Sequence, residues 1–131
     1  MSRAFFTAIA PRLHRSTGRA LTTAADGEYW THDYDALLAA GTPLALLLDG
    51  AQRPSAEAGR PLALWLKARR DVLATLVRGA VFVVPDPAER AAWQARLDAA
   101  GGRSPWPYRT AVAADWAAAE RLARDWLAAP G

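Results

Sequence analysis

The sequence of 131 residues contains no cysteine. This absence excludes disulfides, Cys-ligated zinc, iron–sulfur clusters and thiol catalysis. Histidine is scarce as well, because only His14 and His32 are present. Neither histidine stands in an established metal-ligand spacing, and no Ser–His–Asp order or Gly-rich phosphate loop is found. We therefore expect no metal, no cofactor and no assignable catalytic residue.

Long apolar runs are also missing. The run at 43–48 (PLALLL) is far shorter than the roughly 20 residues that span a membrane. The first ten residues are followed at once by Pro11 and Arg12, which does not fit a signal peptide. We expect a cytoplasmic protein without an integral membrane segment, and the length predicts a single domain over 1–131.

Lysine is nearly absent, since Lys67 is the only one among 16 basic residues. The net charge is +3, and the basic doublet Arg69-Arg70 is followed directly by Asp71. A nucleic-acid surface should cluster basic residues and interleave them with aromatic ones. This pattern is not found, and we expect no nucleic-acid partner.

The remaining sequence alternates between extended and helical segments. Apolar and β-branched runs predict strands at 3–9, 19–23, 43–49, 79–84 and 108–113. The first two would form a hairpin through the turn at 16–18. Loops are predicted at 50–59 and, around Trp106, at 103–107.

Four helices are predicted from caps and apolar periodicity. The first covers 31–40, with Thr31 or Asp33 as its cap. The second runs to about residue 77, and either begins at Pro61 or begins near Ser55 and bends at Pro61. The other two follow the cap residues Asp86 and Asp115, and the third helix would end at Gly101-Gly102. These helices and strands follow one another in the order β-β-α-β-α-β-α-β-α.

This order predicts an α/β domain. Right-handed crossovers between successive strands give a mostly parallel sheet of about five strands with helices packed against it. The first hairpin adds an antiparallel strand.

The chain resembles the STAS fold of anti-sigma-factor antagonists, in particular an uncharacterised SpoIIAA-like branch. The resemblance covers roughly 44–127 and is weaker before that. The stretches that carry it are 46–49 (LLLD), 54–56 (PSA), 65–66 (WL), 69–70 (RR), 78–84 (RGAVFVV) and 116–127.

The resemblance implies a regulatory protein that binds a protein partner. In the antagonists a phosphorylatable serine stands in an Asp-Ser-Ser-Gly-type motif at a helix start. The counterpart here, 54–57 (PSAE), lacks the Ser-Gly pair. Phosphorylation of Ser55 therefore does not follow from the motif.

The candidate binding residues surround the segment that follows the strand at 43–49. Asp49, Arg53 and Arg60 flank this segment, and carboxyl ends of parallel strands are common ligand sites. Ser55 is either an N-cap or a regulatory serine, because both roles need a hydroxyl at a helix start. Trp106, like Trp30, lies in a predicted loop among aromatic residues and prolines, which suits a partner surface.

The sequence favours the first of three functions. The first is a non-enzymatic STAS-like interaction module that binds a protein through 49–60. The second is a binder of an apolar small molecule or lipid, since the STAS fold is similar in outline to a class of lipid-binding domains. The third is a small enzyme. A homodimer is compatible with the sheet edge near the first hairpin.

Overall fold

The protein is described by a computed structural model of residues 5–50, 53–100 and 106–129. The described elements are β1 (Phe6–Ala10), β2 (Leu13–Ser16), α1 (Ala24–Leu38), β3 (Leu44–Asp49), α2 (Ala56–Ala68), α3 (Arg70–Leu76), β4 (Val77–Val83), α4 (Pro87–Ala100), β5 (Thr110–Ala113) and α5 (Trp116–Ala128).

The five described strands form one sheet in the order β1-β2-β3-β4-β5. β1 pairs antiparallel with β2, and the other neighbours are all parallel. The expected α/β class with a mostly parallel five-stranded sheet is confirmed. The described part holds five helices rather than the predicted four, because the chain leaves helical geometry at Arg69 and so separates α2 from α3.

The two faces of the sheet are both covered, and β3 shows how. Leu46 and Leu48 belong to an apolar cluster with α1 and α3, whereas Ala45 and Leu47 belong to a cluster with α5. Successive strand residues point to opposite faces, so a continuous apolar run is what a doubly covered strand requires. Burial on both faces of the sheet therefore explains the run of leucines in β3.

The two faces of the sheet are covered by different numbers of helices. Right-handed crossovers between sheet neighbours in sequential order place the crossover helices on one face. This layer contributes Trp30, Tyr34 and Leu73 to its cluster. The opposite face carries α5, whose Ala119, Ala123 and Trp126 pack on the sheet.

The predicted hairpin is misplaced. The second strand is at Leu13–Ser16 and not at 19–23, which has no regular structure up to residue 22. The reversal is the turn at Pro11-Arg12, since Ala10 is opposite Leu13. Proline ends a strand but also suits a tight turn, so a break at Pro11 marks the hairpin itself. Of the predicted first strand, residues 3–4 lie outside the described part of the chain.

The first helix begins at Ala24, seven residues before the predicted start. Its N-cap is Thr23, which accepts a hydrogen bond from the Asp26 N–H at 3.1 Å. The Asp26 carboxylate accepts the Thr23 N–H in return, completing a capping box. The predicted caps Thr31 and Asp33 are therefore wrong, and both lie buried inside the helix.

Other element ends differ less from expectation. α2 follows the second alternative, with Ser55 as its cap and Pro61 inside the helix. β4 begins at Val77, two residues early. The caps at Asp86 and Asp115 are confirmed by hydrogen bonds from the N–H groups of Glu89 and Ala118. The predicted helix end at 101–102 and the loop residues 103–105 lie outside the described residues.

The prediction that Trp30 lies in a loop on a partner surface is wrong. Trp30 lies on α1 and is 8% exposed. No helix in the described ranges is long and apolar enough to cross a membrane.

Candidate functional site

Three parallel strands end at the same edge of the sheet. Their last residues bring Ser16, Asp49 and the end of β4 side by side. The Asp49 N–H donates to Ser16 Oγ at 3.1 Å, and the Gly50 N–H donates to the Val83 carbonyl at 2.9 Å. These hydrogen bonds hold the first turns beyond the strands together. Ligands of parallel α/β sheets bind at this edge.

A cavity of about 390 Å³ lies at this edge, between the sheet and the crossover helices. We call it the carboxyl-end cavity. Its larger apolar side chains come from strands β3 and β4, from three helices and from the connecting segments: Phe5, Leu21, Trp30, Leu48, Leu62, Phe82, Trp93 and Trp106. The polar and charged residues that line it are Ser16, Arg19, Asp49 and Arg53.

Flat aromatic rings form much of the wall. Phe82, on β4, has its ring centroid 4.8 Å from that of Trp93 and 5.9 Å from that of Trp106. Trp93 comes from α4, a helix with no fully buried side chain among its described residues. Because α4 covers the sheet through partly buried residues, space remains beside Trp93.

The charged residues lie at the exposed side of the cavity. Arg19 and Arg53 are both solvent-exposed, whereas Asp49 is half-buried. The Arg19 guanidinium lies 5.2 Å from the Phe5 ring centroid and 5.9 Å from that of Tyr29. Such contacts favour a cation over an aromatic face. Within the described ranges, neither arginine forms an ion pair.

One wall residue carries an unused donor. The indole Nε1 of Trp93 is buried and has no hydrogen-bond acceptor among the described residues. A buried N–H without a partner is costly and uncommon in folded proteins. A ligand oxygen at the cavity would supply the missing acceptor.

A second unpartnered polar atom lies deeper in the same helix layer. The Tyr34 hydroxyl is buried without a hydrogen bond of good geometry in the described chain, although it lies near the Tyr108 hydroxyl. Burial raises the pKa of Tyr34 well above its ordinary value and that of Tyr108 to about 12. Both phenols therefore stay neutral at physiological pH. Neither lines the carboxyl-end cavity.

Some of the site residues predicted from the sequence lie at the carboxyl-end cavity, and others lie elsewhere. Asp49, Arg53 and Trp106 all line the carboxyl-end cavity. Ser55 does not: its Oγ accepts from the Ala58 N–H at 3.1 Å and donates to the Thr22 carbonyl at 2.7 Å. This is the N-cap alternative. Arg60 lies in a separate shallow groove between α1 and α2.

Several lining residues were not predicted, notably Ser16, Arg19 and Trp93. Ser16 is the last residue of β2 and Arg19 follows it. Because the sequence pattern places the second strand at 19–23, it does not identify either residue as part of a site. With β2 at Leu13–Ser16, the rule that parallel strands end at one edge would have found both. Trp93 lies within the helix predicted after Asp86, and nothing in the sequence signals that its N–H is unpaired.

The two histidines, His14 and His32, do not line the cavity. Partial burial lowers the pKa of His14, which lies on β2. In the part of the chain that is described, no three metal-ligating side chains come together. The cavity combines mostly apolar walls with Ser16 and three charged residues.

No protein-family model, curated protein or solved structure matches the chain. Neither the STAS-like resemblance nor a function is therefore identified by relatives, and the cavity is the basis for assigning a role.

Proposed function

We propose that this protein binds a small, largely apolar molecule in the carboxyl-end cavity. The observation that carries the proposal is a cavity of about 390 Å³ at the edge where the parallel strands end, with nine apolar or aromatic lining residues including Pro54. Small-molecule sites typically measure about 300–1,000 Å³ and combine apolar walls with a few polar groups. The size, the lining residues and the position of the carboxyl-end cavity thus agree with those of a small-molecule site.

The aromatic walls favour a ligand with a flat ring system. Trp30, Phe82, Trp93 and Trp106 offer ring faces and edges that pack well against another aromatic group. The unpaired Trp93 N–H favours a ligand with a hydrogen-bond acceptor. The role is carriage or sensing of that molecule, since no catalytic arrangement is assigned.

Fluorescence titration with the neutral probe N-phenyl-1-naphthylamine tests this proposal. We expect saturable one-to-one binding by the unaltered protein. Leu62→Trp fills the cavity from its wall and should weaken binding at least about fivefold, because a small pocket has no room for the added ring. Leu64→Trp is the matched control, since Leu64 lies on the same helix and is 66% exposed.

Circular dichroism and thermal melting establish that both variants are folded. Unsaturable binding by the unaltered protein would contradict the proposal. So would equal affinities of the two folded variants.

A STAS-like module that binds a protein partner is a second proposal. Its support is the element order, the resemblance of 44–127 and the exposed Leu64, which lines the same groove as Arg60 on α2. A partner retained specifically by the unaltered protein should be lost with Leu64→Asp. Equal retention by both proteins would count against this surface. In either role, cytoplasmic location remains a proposal.

A further inference from the structure

We infer that the ligand is an aromatic organic anion, with its ring system inside the carboxyl-end cavity and its carboxylate or sulfonate at Arg19 and Arg53. This inference rests on the proposed function and specifies the ligand class. The juxtaposition that carries it is that two exposed arginines line a cavity whose walls also hold five aromatic residues.

The two arginines come from different connections of the fold. Arg19 lies between β2 and α1, and Arg53 lies between β3 and α2. Both line one cavity because β2 and β3 are parallel neighbours that end together. Guanidinium groups bind carboxylates and related anions through paired, charge-assisted hydrogen bonds. Two arginines that line one cavity can both donate such hydrogen bonds to a bound anion.

Neither arginine is already neutralised by an ion pair in the described chain. Arg19 is placed by Phe5 and Tyr29, whose rings lie beneath its guanidinium without compensating its full charge. The ring contacts restrict a flexible side chain and so lower the entropy cost of holding a ligand.

Asp49 is negatively charged, and its charge partly offsets the two arginines at the cavity. It also lines the cavity, so the three charged lining residues sum to +1. The excess is positive, and Asp49 has interactions of its own within the protein. A ligand with one negative charge therefore leaves the cavity neutral, whereas a cationic ligand would raise its charge to +2.

Two matched probes separate the charge from the apolar body. N-phenyl-1-naphthylamine is neutral, and 8-anilinonaphthalene-1-sulfonate is the same ring system with a sulfonate. We expect the sulfonate to bind about tenfold more tightly at low salt, and to lose that advantage as the salt concentration rises. Affinity for the neutral probe should not depend on salt.

Arginine variants locate the anion site. Arg53→Met and Arg19→Met should each weaken sulfonate binding about fivefold more than they weaken binding of the neutral probe. Arg121→Met is the control, because Arg121 is exposed on α5 on the opposite face of the sheet. 2-Naphthoic acid and dodecanoic acid, as competitors, distinguish an aromatic acid from a fatty acid.

Each outcome has one meaning. If neither probe saturates, the proposed function fails. If the neutral probe binds but the sulfonate is no tighter, or if Arg53→Met and Arg19→Met weaken binding of the two probes equally or not at all, the anion inference is overturned while the proposed function stands. Displacement by dodecanoic acid alone overturns the aromatic class. Displacement by 2-naphthoic acid supports the inference as stated.

Discussion

Single residues in this protein show how one hydroxyl or carboxylate fixes a helix start. Ser55 illustrates the point, because its hydroxyl both accepts the Ala58 N–H and donates to Thr22. The sequence predicts that Ser55 is either an N-cap or a regulatory serine, and these contacts show the N-cap. The hydrogen bond to Thr22 also ties the start of α2 to the start of α1, which a sequence pattern does not reveal.

Asp26 provides a residue-scale prediction about acid stability. The N–H groups of Thr22 and Thr23 and the Thr22 hydroxyl donate to its carboxylate, each at 3.0 Å. These donors, first the Thr22 N–H, lower the Asp26 pKa from its ordinary 3.8 to about 2. A lowered folded-state pKa stabilises the fold above pH 4, and the stabilisation disappears as the pH falls towards 2.

The measurement is the free energy of urea unfolding between pH 7 and pH 2 for the unaltered protein and Asp26→Asn. The difference between them should shrink below pH 4. Asp98→Asn is a control, since the described partner of that exposed carboxylate is the Gln94 side chain. A difference that stays constant across this pH range would contradict the assigned role of Asp26.

At the scale of elements, the close packing of α1 on α2 depends on one glycine. A methyl group on Gly27 would overlap the Ala58 carbonyl oxygen and approach Pro61 Cγ to 2.9 Å. Gly59 lies on α2, where a methyl group would meet no atom within 4 Å. The two glycines therefore offer opposite environments within one helix pair.

This contrast predicts opposite effects of one substitution. Gly27→Ala should destabilise the protein by about 1–3 kcal/mol, because the helices must separate. Gly59→Ala should stabilise it by about 0.5–1 kcal/mol, since alanine has the higher helix propensity. Chemical unfolding measures both values. A stabilising Gly27→Ala would show that the helices do not approach as closely as described.

The elements differ in how well their sequence predicts them. β3 and β4 are continuous apolar runs, and α4 and α5 begin at clear caps, so all four were found within a few residues. α1 was found only in part, because its first turns contain Gly27 and the small residues 24–25. Nothing in that stretch resembles an amphipathic stripe, since α1 is buried largely through aromatic contacts.

The candidate site was predictable to the extent that β3 was. Asp49 is the last residue of the correctly placed β3, Arg53 follows it, and both line the cavity. Arg19 was missed because β2 is only four residues long, and so short a strand carries no periodicity to recognise. The cavity itself depends on packing between distant segments, which no local pattern encodes.

On the scale of the whole molecule, the sheet separates two different environments. One face carries the crossover helices, with aromatic side chains and the cavity, and the other carries α5 with its small alanines. Gly79 on β4 admits the Trp126 ring against that second face. The protein therefore has its tryptophans on both sides of the sheet but its cavity on one.

This division allows the most direct test of ligand binding in the carboxyl-end cavity. Each of the six tryptophans has an indole N–H that gives its own signal in a ¹H–¹⁵N correlation spectrum. Titration with 2-naphthol should shift the signals of Trp30, Trp93 and Trp106, with the largest shift at Trp93, whose N–H gains an acceptor. Trp116 and Trp126 lie on the opposite face and should not move. Unchanged spectra, or shifts confined to those two residues, would contradict a ligand site in this cavity.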